Sequence, residues 1–271
     1  QGGDELRGEE RDPEEDEESS DADAAPSAWS RVDPASQAER LGYMKGVIAK
    51  LDALDAKALS PDAQINLAIY RDQIEVRVAQ IEFREYEKPL NADTTFWTSV
   101  ASYGPKAFRN EAQARAWISR LNDVPRYFSE QIANMRLGLA RGFTPPRVTL
   151  DGRTASISSV YDGKTPEQSS FYEPFLTLPA SIPAETKAEL QALAKAAIAD
   201  KVFPAYRTLL PFFRDEYLPH TTTELAATKL PNGDAYYAAQ IREYTTLKLS
   251  PDQIHQIGLN EVAKIKARMN D

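Results

Sequence analysis

Ser60-Pro-Asp-Ala-Gln-Ile-Asn-Leu-Ala-Ile-Tyr-Arg-Asp-Gln-Ile-Glu-Val-Arg-Val-Ala-Gln-Ile-Glu-Phe83 is the stretch on which the fold turns. Ser60 offers a hydroxyl to amides that a helix start leaves unpaired. Pro61 fits a first turn, where its missing N–H costs nothing, and Asp62 suits the positive helix end. Leu67, Tyr70, Ile74, Val78 and Ile81 then return on one face with a period near 3.6. Ile65, Ile69, Val76 and Phe83 form a second stripe. So wide an apolar arc predicts neighbours on more than one side, hence a central helix, running to about Lys88.

The same periodicity extends in both directions. Upstream, Leu41, Met44, Ile48 and Leu51 mark an amphipathic helix starting near Pro34. Downstream, residues 91–106 read as a loop rich in Thr, Ser and aromatics. Asn110 can cap a helix carrying Ala114, Trp117, Ile118 and Leu121; Pro125 opens another with Phe128, Ile132, Met135 and Leu139, which Gly142 stops. That spacing predicts an antiparallel helical hairpin. Residues 145–170 are ambiguous, because Asp151-Gly152 is a strong turn signal between Val148–Leu150 and Ala155–Ile157. An isolated hairpin is marginal, so loop and short helix are favoured. From Pro183 a long helical tract follows, with Pro204 and Pro211 expected to kink it into two or three segments. Asp234 is positioned to cap a helix ending near Thr245. The expected fold class is therefore all-α, a multi-helix array or bundle with kinked helices and at most one short hairpin.

The final stretch repeats the Ser-Pro-Asp signal at Ser250-Pro251-Asp252 and carries Ile254, Gly258, Val262, Ile265 and Met269 along one face. Such a stripe gains its stability by being covered. The expected cover lies in sequence beyond Asp271, which makes the chain the front part of something larger. Two regions are expected, a disordered acidic tail at 1–33 and a helical domain at 34–271.

The net charge of −9 belongs to the tail, since the first thirty residues hold twelve acidic and two basic side chains. The remainder, with 30 basic and 29 acidic residues, is nearly neutral, which argues against nucleic-acid binding. The tail has too little apolar surface to offset the entropy of ordering. It reads as a solvated spacer, with an acidic docking tail as the other reading. The absence of cysteine excludes disulfides, thiol catalysis and thiolate-bound zinc. No apolar run approaches a membrane span. A chain that opens on Gln1 is expected to have lost an upstream segment, as in a periplasmic or exported protein with a lipid anchor upstream of Gln1.

Candidate chemistry is sparse. His220 and Glu224 have ligand spacing but lack a second histidine, and no zinc helix with histidines at i and i+4 is present. No phosphate loop and no Gly-x-Ser-x-Gly elbow occurs. Catalytic and metal-ligating residues are therefore assigned to none, and no cofactor is expected within the chain. Glu82, Glu85 and Glu87 alternate with Arg84 and Lys88, which reads as a solvated face. Phe96, Trp97, Tyr103 and Phe108 suit core packing, with a substrate cleft as the alternative. Tyr236-Tyr237, Arg242 and Tyr244, followed by Thr245-Thr246, combine aromatic surface with a cation, a means of gripping a carboxylate or peptide backbone. The candidate substrate contacts are Tyr237, Arg242, Tyr244 and His255, the last one turn into the final helix.

Phe213-Arg-Asp-Glu-Tyr-Leu-Pro219, Leu230-Pro-Asn-Gly-Asp-Ala-Tyr-Tyr237, Ile241-Arg-Glu-Tyr-Thr-Thr246 and Ser250-Pro-Asp-Gln-Ile-His-Gln-Ile-Gly-Leu-Asn-Glu-Val262 resemble the bacterial family catalogued as domain of unknown function 885. Gly142-Phe-Thr-Pro-Pro-Arg147 and Phe203-Pro-Ala-Tyr206 add to the likeness, whereas the basic Arg268 stands where an acidic residue would be expected. The resemblance implies a protein about twice as long, largely helical and often exported or lipid-anchored. It also implies likeness to helical zinc peptidases, including carboxypeptidases, whose His-Glu-x-x-His motif lies downstream of the matched segment. On that basis the chain is the N-terminal helical portion of a zinc metallopeptidase-like hydrolase. It would be inactive alone, act on peptides, and take zinc only in the missing C-terminal part. The alternative is a non-catalytic helical envelope protein that works by partner binding.

Overall fold

The computed structural model describes residues 26–270. Residues 1–25, which hold the acidic part of the expected disordered tail, lie outside the described residues. Among the described residues the chain is all α, without a strand. Its α-helices are α1 (Pro34–Asp52), α2 (Pro61–Glu82), α3 (Phe96–Ser102), α4 (Glu111–Arg141), α5 (Arg153–Ser158), α6 (Ala184–Ala197), α7 (Phe203–Pro211), α8 (Gly233–Thr245) and α9 (Pro251–Asn270).

The start signals act locally as their chemistry requires. Ser60 Oγ accepts from the Ala63 amide at 3.3 Å, and Asn110 Oδ1 accepts from the Gln113 amide at 2.9 Å. At α9, Ser250 Oγ takes the Gln253 amide at 3.2 Å while the Gln253 side chain takes the Ser250 amide at 2.8 Å. Two orphan donors are thereby satisfied reciprocally. Gly142, with φ 74°, ends α4 in the left-handed region. Asp234 sits inside the first turn of α8, and the cap position falls to Asn232.

Four expectations change. The helix from Pro61 stops at Glu82 rather than near Lys88, because Arg84 turns the chain through the left-handed region at φ 58° into a single 3₁₀ turn, Glu85–Glu87. Nor is α2 central. Ile74 is its buried residue, while Ile65 and Ile69 remain 58% and 53% exposed. The expected hairpin of helices around Pro125 is one 31-residue helix, α4. Leu121, Val124 and Phe128, flanking the proline, are buried to 2% exposure or less. Burial at about 1.5–3 kcal/mol each outweighs the roughly 3 kcal/mol that a mid-helix proline costs. The expected loop at 91–106 contains α3, because Thr95 Oγ1 accepts from the Thr98 amide at 3.3 Å and so caps a helix start. Residues 148–157, by contrast, take the favoured form, a 3₁₀ turn, Arg147–Leu150, and the short helix α5.

The long tract from Ala184 accommodates its prolines by widening at two points, without a break in the helical run to Tyr217. A π-helical stretch, Ile198–Val202, joins α6 to α7, and a second, Phe212–Tyr217, follows α7. Asp200 stands four residues before Pro204, and Asp215 four before Pro219, so each π stretch holds the residue whose carbonyl a proline ring would strike. Widening the turn moves that carbonyl aside. Pro211 is the last residue of α7, and the tract widens directly after it.

The chain divides into two compact units. Of the described residues, the first comprises 26–31, Asp93–Ile132 and Asp151–Glu216, and the second Val32–Ala92, Ala133–Leu150 and 217–270. The first has an aromatic core. Trp97 is fully buried, edge-on to Phe96 and Phe213 at 5.2 Å each, while Phe128 lies 4.9 Å from Tyr206. Tyr206 Oη donates to the Trp97 carbonyl at 2.5 Å, and the Trp97 indole donates to Ser156 Oγ at 3.0 Å. Polar tips inside a ring cluster thus find partners. Trp29, in the stretch assigned to the tail, is buried in this unit. Its indole donates to the Arg120 carbonyl at 3.0 Å, and the Arg120 guanidinium stacks 4.0 Å from its ring.

The second unit pairs α1 with α2 over a small core of Met44, Val47 and Ile74, edged by half-buried Ile48, Leu51, Tyr70, Val78 and Ile81. Asn134 reaches the Val32 carbonyl at 2.7 Å. Along α9 every described side chain is exposed except Ile254, including Val262, Ile265 and Met269 of the apolar stripe.

Candidate functional site

The second unit contains a cleft of about 500 Å³, built on one face of α8. Tyr237, Ile241 and Tyr244 recur at helical spacing along this face, and Ile254 closes its far end from the first turn of α9. The opposite wall comes from two irregular segments, Thr144–Thr149 and Thr222–Leu230. Irregular backbone needs its polar groups satisfied by something other than a ladder. Arg147 supplies much of this. Its amide donates to the Thr222 carbonyl at 2.7 Å, and its guanidinium to the carbonyls of Pro219 and Thr221 at 2.6 and 2.9 Å. The Thr222 amide in turn donates to Thr144 Oγ1 at 2.9 Å.

The base of the cleft is framed by the turn after α2. Glu87, 1% exposed, pairs with Arg141, whose guanidinium also donates to the Phe83 carbonyl at 2.8 Å. Gly138 lets α4 approach this turn. A Cβ there would stand 2.5 Å from the Glu87 carbonyl oxygen, closer than real side chains come.

Inside this frame lies a titratable cluster. Lys88 Nζ donates to Tyr236 Oη at 3.3 Å and sits 5.4 and 5.5 Å from the ring centroids of Phe143 and Tyr236. Gln240 Nε2 donates to Glu85 at 2.7 Å and to Glu243 at 3.3 Å, and Gln80 donates to Glu243 at 3.0 Å. Burial pushes the Glu85 carboxyl up, as does the neighbouring Glu243 carboxylate, against smaller opposing effects of Lys88, Tyr236 and Gln240. Burial pushes the Lys88 ammonium down, partly offset by Glu85. The Tyr236 hydroxyl is raised by burial and by Glu85. Lys88 and Tyr236 line the cleft itself, whereas Glu85 and Glu243 line a second concavity beside it with Arg242, and Gln240 borders both. Perturbed groups at a concave surface are where ligand binding and proton transfer are found.

The candidate residues separate. Tyr237, 38% exposed, and Tyr244, 81% exposed, both line the cleft. Arg242 is turned toward α2, donating to Asp72 at 2.9 Å and pairing with Glu75, and it does not line this cleft. His255 is exposed and does not line it, although the adjacent Ile254 does. Lys88 and Gln240 were missed, and Tyr236, named with the aromatic cluster, was not carried into the candidate contacts. The face read as solvated holds Glu87, which is buried, and Glu85 and Lys88, which are half-buried. The signal available was the mismatch between a helical reading to Lys88 and the loss of apolar periodicity after Phe83. Among the described residues no three His, Cys, Asp or Glu side chains converge to hold a metal ion. These residues do not fit a zinc site, and no step through zinc is assigned to them.

A family model described as "Bacterial protein of unknown function (DUF885)" matches residues 16–271. No curated protein sequence matches the chain. Among solved structures, the crystal structure of the "putative lipoprotein from Colwellia psychrerythraea" is similar, with a TM-score of 0.72 at 21% identity, over 90% of this chain and 44% of that one. At that identity the likeness is one of fold. The chain spans less than half the length of this structure.

Proposed function

Because the chain belongs to the DUF885 family of bacterial proteins, we propose that it is the N-terminal helical portion of a zinc metallopeptidase or carboxypeptidase-like hydrolase acting on peptides. In this reading the chain contributes a peptide-binding wall, and zinc and its ligands belong to sequence outside it. The observation that carries the reading is the cleft on α8, an apolar concavity of about 500 Å³ with aromatic side chains and a half-buried cation. Peptides present alternating apolar side chains and backbone polar groups, and a surface of this composition suits them. The segments that carry the sequence resemblance, Gly142–Arg147, Leu230–Tyr237, Ile241–Thr246 and Ser250–Val262, each contribute lining residues. Export and a lipid anchor upstream of Gln1 belong to the same proposal. They are supported by the likeness in fold to the "putative lipoprotein" of Colwellia and fit the observation that no described helix is long and apolar enough to cross a membrane.

A second reading, a non-catalytic envelope protein that binds a partner, is favoured by the exposed apolar stripe of α9. Zinc content and peptide cleavage, measured on this chain beside a form extended to the natural stop codon, separate the two. Zinc and cleavage confined to the longer form support the hydrolase. Their absence from both forms leaves the partner-binding protein.

A further inference from the structure

The cleft holds an ammonium group whose charge is only partly answered by the protein. Lys88 Nζ has three N–H donors, and its hydrogen-bond partner is Tyr236 Oη at 3.3 Å. Among the described residues no carboxylate forms an ion pair with it. Glu85 acts on it only from a distance and is itself hydrogen-bonded by Gln240. The other polar groups of the wall are already engaged. Thr149 Oγ1 donates to the Pro146 carbonyl at 2.8 Å, and Thr144 Oγ1 and Thr222 Oγ1 accept backbone amides at 2.9 and 3.0 Å. Arg242, the cation on α8 that the sequence offered, is taken by Asp72 and Glu75. The cleft's charge complementarity therefore centres on Lys88, with Glu224 as an exposed carboxylate among the lining residues.

We infer that Lys88 is the anion-binding residue of this cleft, and that the cleft takes peptides by the C-terminal carboxylate, the last side chain lying on the Tyr237–Ile241 face of α8. The inference rests on the reading of the cleft as a peptide-binding wall and specifies which end of the peptide it holds. The rings of Phe143 and Tyr236 keep the ammonium in place and lower the local dielectric, so a carboxylate arriving there makes a charge-assisted hydrogen bond stronger than the same contact in water.

The test is calorimetric titration of the full chain with N-acetyl-Ala-Ala-Phe and with its C-terminal amide. The free acid is expected to bind at least about tenfold more tightly than the amide. Lys88→Met is expected to bring the acid down to the level of the amide, and Lys88→Arg, which keeps the charge, to retain a preference for the acid. Equal binding of acid and amide to the unaltered chain would overturn the inference while leaving a peptide-binding cleft. Binding of neither would overturn the peptide reading as well. An acid preference that persists in Lys88→Met would assign the anion contact to another residue. If Lys88→Met does not fold, the acid and amide pair on the unaltered chain and on Lys88→Arg still decides.

Discussion

The unit built around Trp97 and the unit built around α8 solve the same problem with different materials. In the first, rings meet rings, and the polar atoms on them close short internal hydrogen bonds, as Tyr206 does with the Trp97 carbonyl. In the second the compact apolar core of α1 and α2 is small. Charged side chains do much of the remaining work: Arg141 on Glu87 and Phe83, Arg147 on Pro219 and Thr221, Arg242 on Asp72 and Glu75. Ring packing is dense and leaves little open volume, because interiors fill like crystals. Charged clips hold segments apart as well as together, and the α8 cleft lies in the unit that uses them.

Trp97→Ala should give the largest loss if this contrast is right, about 3–5 kcal/mol in urea denaturation. A loss under about 1 kcal/mol would mean that the aromatic cluster is not what holds its unit. Arg141→Met should come next at roughly 3 kcal/mol, because it leaves the buried Glu87 carboxylate to the exposed Arg84 alone, 3.6 Å away. If Arg141→Met and Glu87→Gln together recover most of that loss, the cost was the stranded charge rather than the bond. Gly138→Ala should cost about 1–3 kcal/mol, since its Cβ would force the Glu87 carbonyl away. A neutral result would show that the turn after α2 yields easily and that the frame of the cleft is soft.

The smallest effect is the most specific. The Glu85 carboxyl is raised in the folded chain above its ordinary value near 4.5. The folded state thus holds that proton to higher pH than the unfolded chain does. The stabilising contribution is full below about 4.5 and is lost as pH rises through the raised folded value. Glu85→Gln should remove this slope, so its stability relative to the unaltered chain should improve between pH 4 and pH 7. A constant difference across that range in denaturation midpoints would show that Glu85 is solvated like a surface carboxylate.

What the sequence could say about the fold depended on how local the cause was. The caps at Ser60, Asn110 and Ser250 and the stop at Gly142 act within four residues, and each was readable. Pro125 misled because its penalty is local while the burial that outweighs it is not. The site was less legible. Tyr237 and Tyr244 could be placed on one side of α8 from their spacing of seven. By contrast, the partners of Arg242 lie 170 and 167 residues away, and nothing near it in sequence announces them. Lys88 looked like one more surface charge because the left-handed turn at Arg84, which redirects the chain, carries no glycine to mark it.

The paired π stretches at 198–202 and 212–217 bear on how chain length can vary. A π turn spends about one residue more than an α turn for nearly the same advance. Each such turn is a helix carrying one surplus residue, and every side chain beyond it is rotated by roughly 100° from where an unbroken α-helix would set it. Deleting a single residue within either stretch therefore restores ordinary helical bonding while swinging Phe203, Tyr206 and Leu209, or the turn leading to Pro219, off the faces they now occupy. A one-residue gap here is a rotation of everything downstream, whereas the same gap in a surface loop would be absorbed as slack.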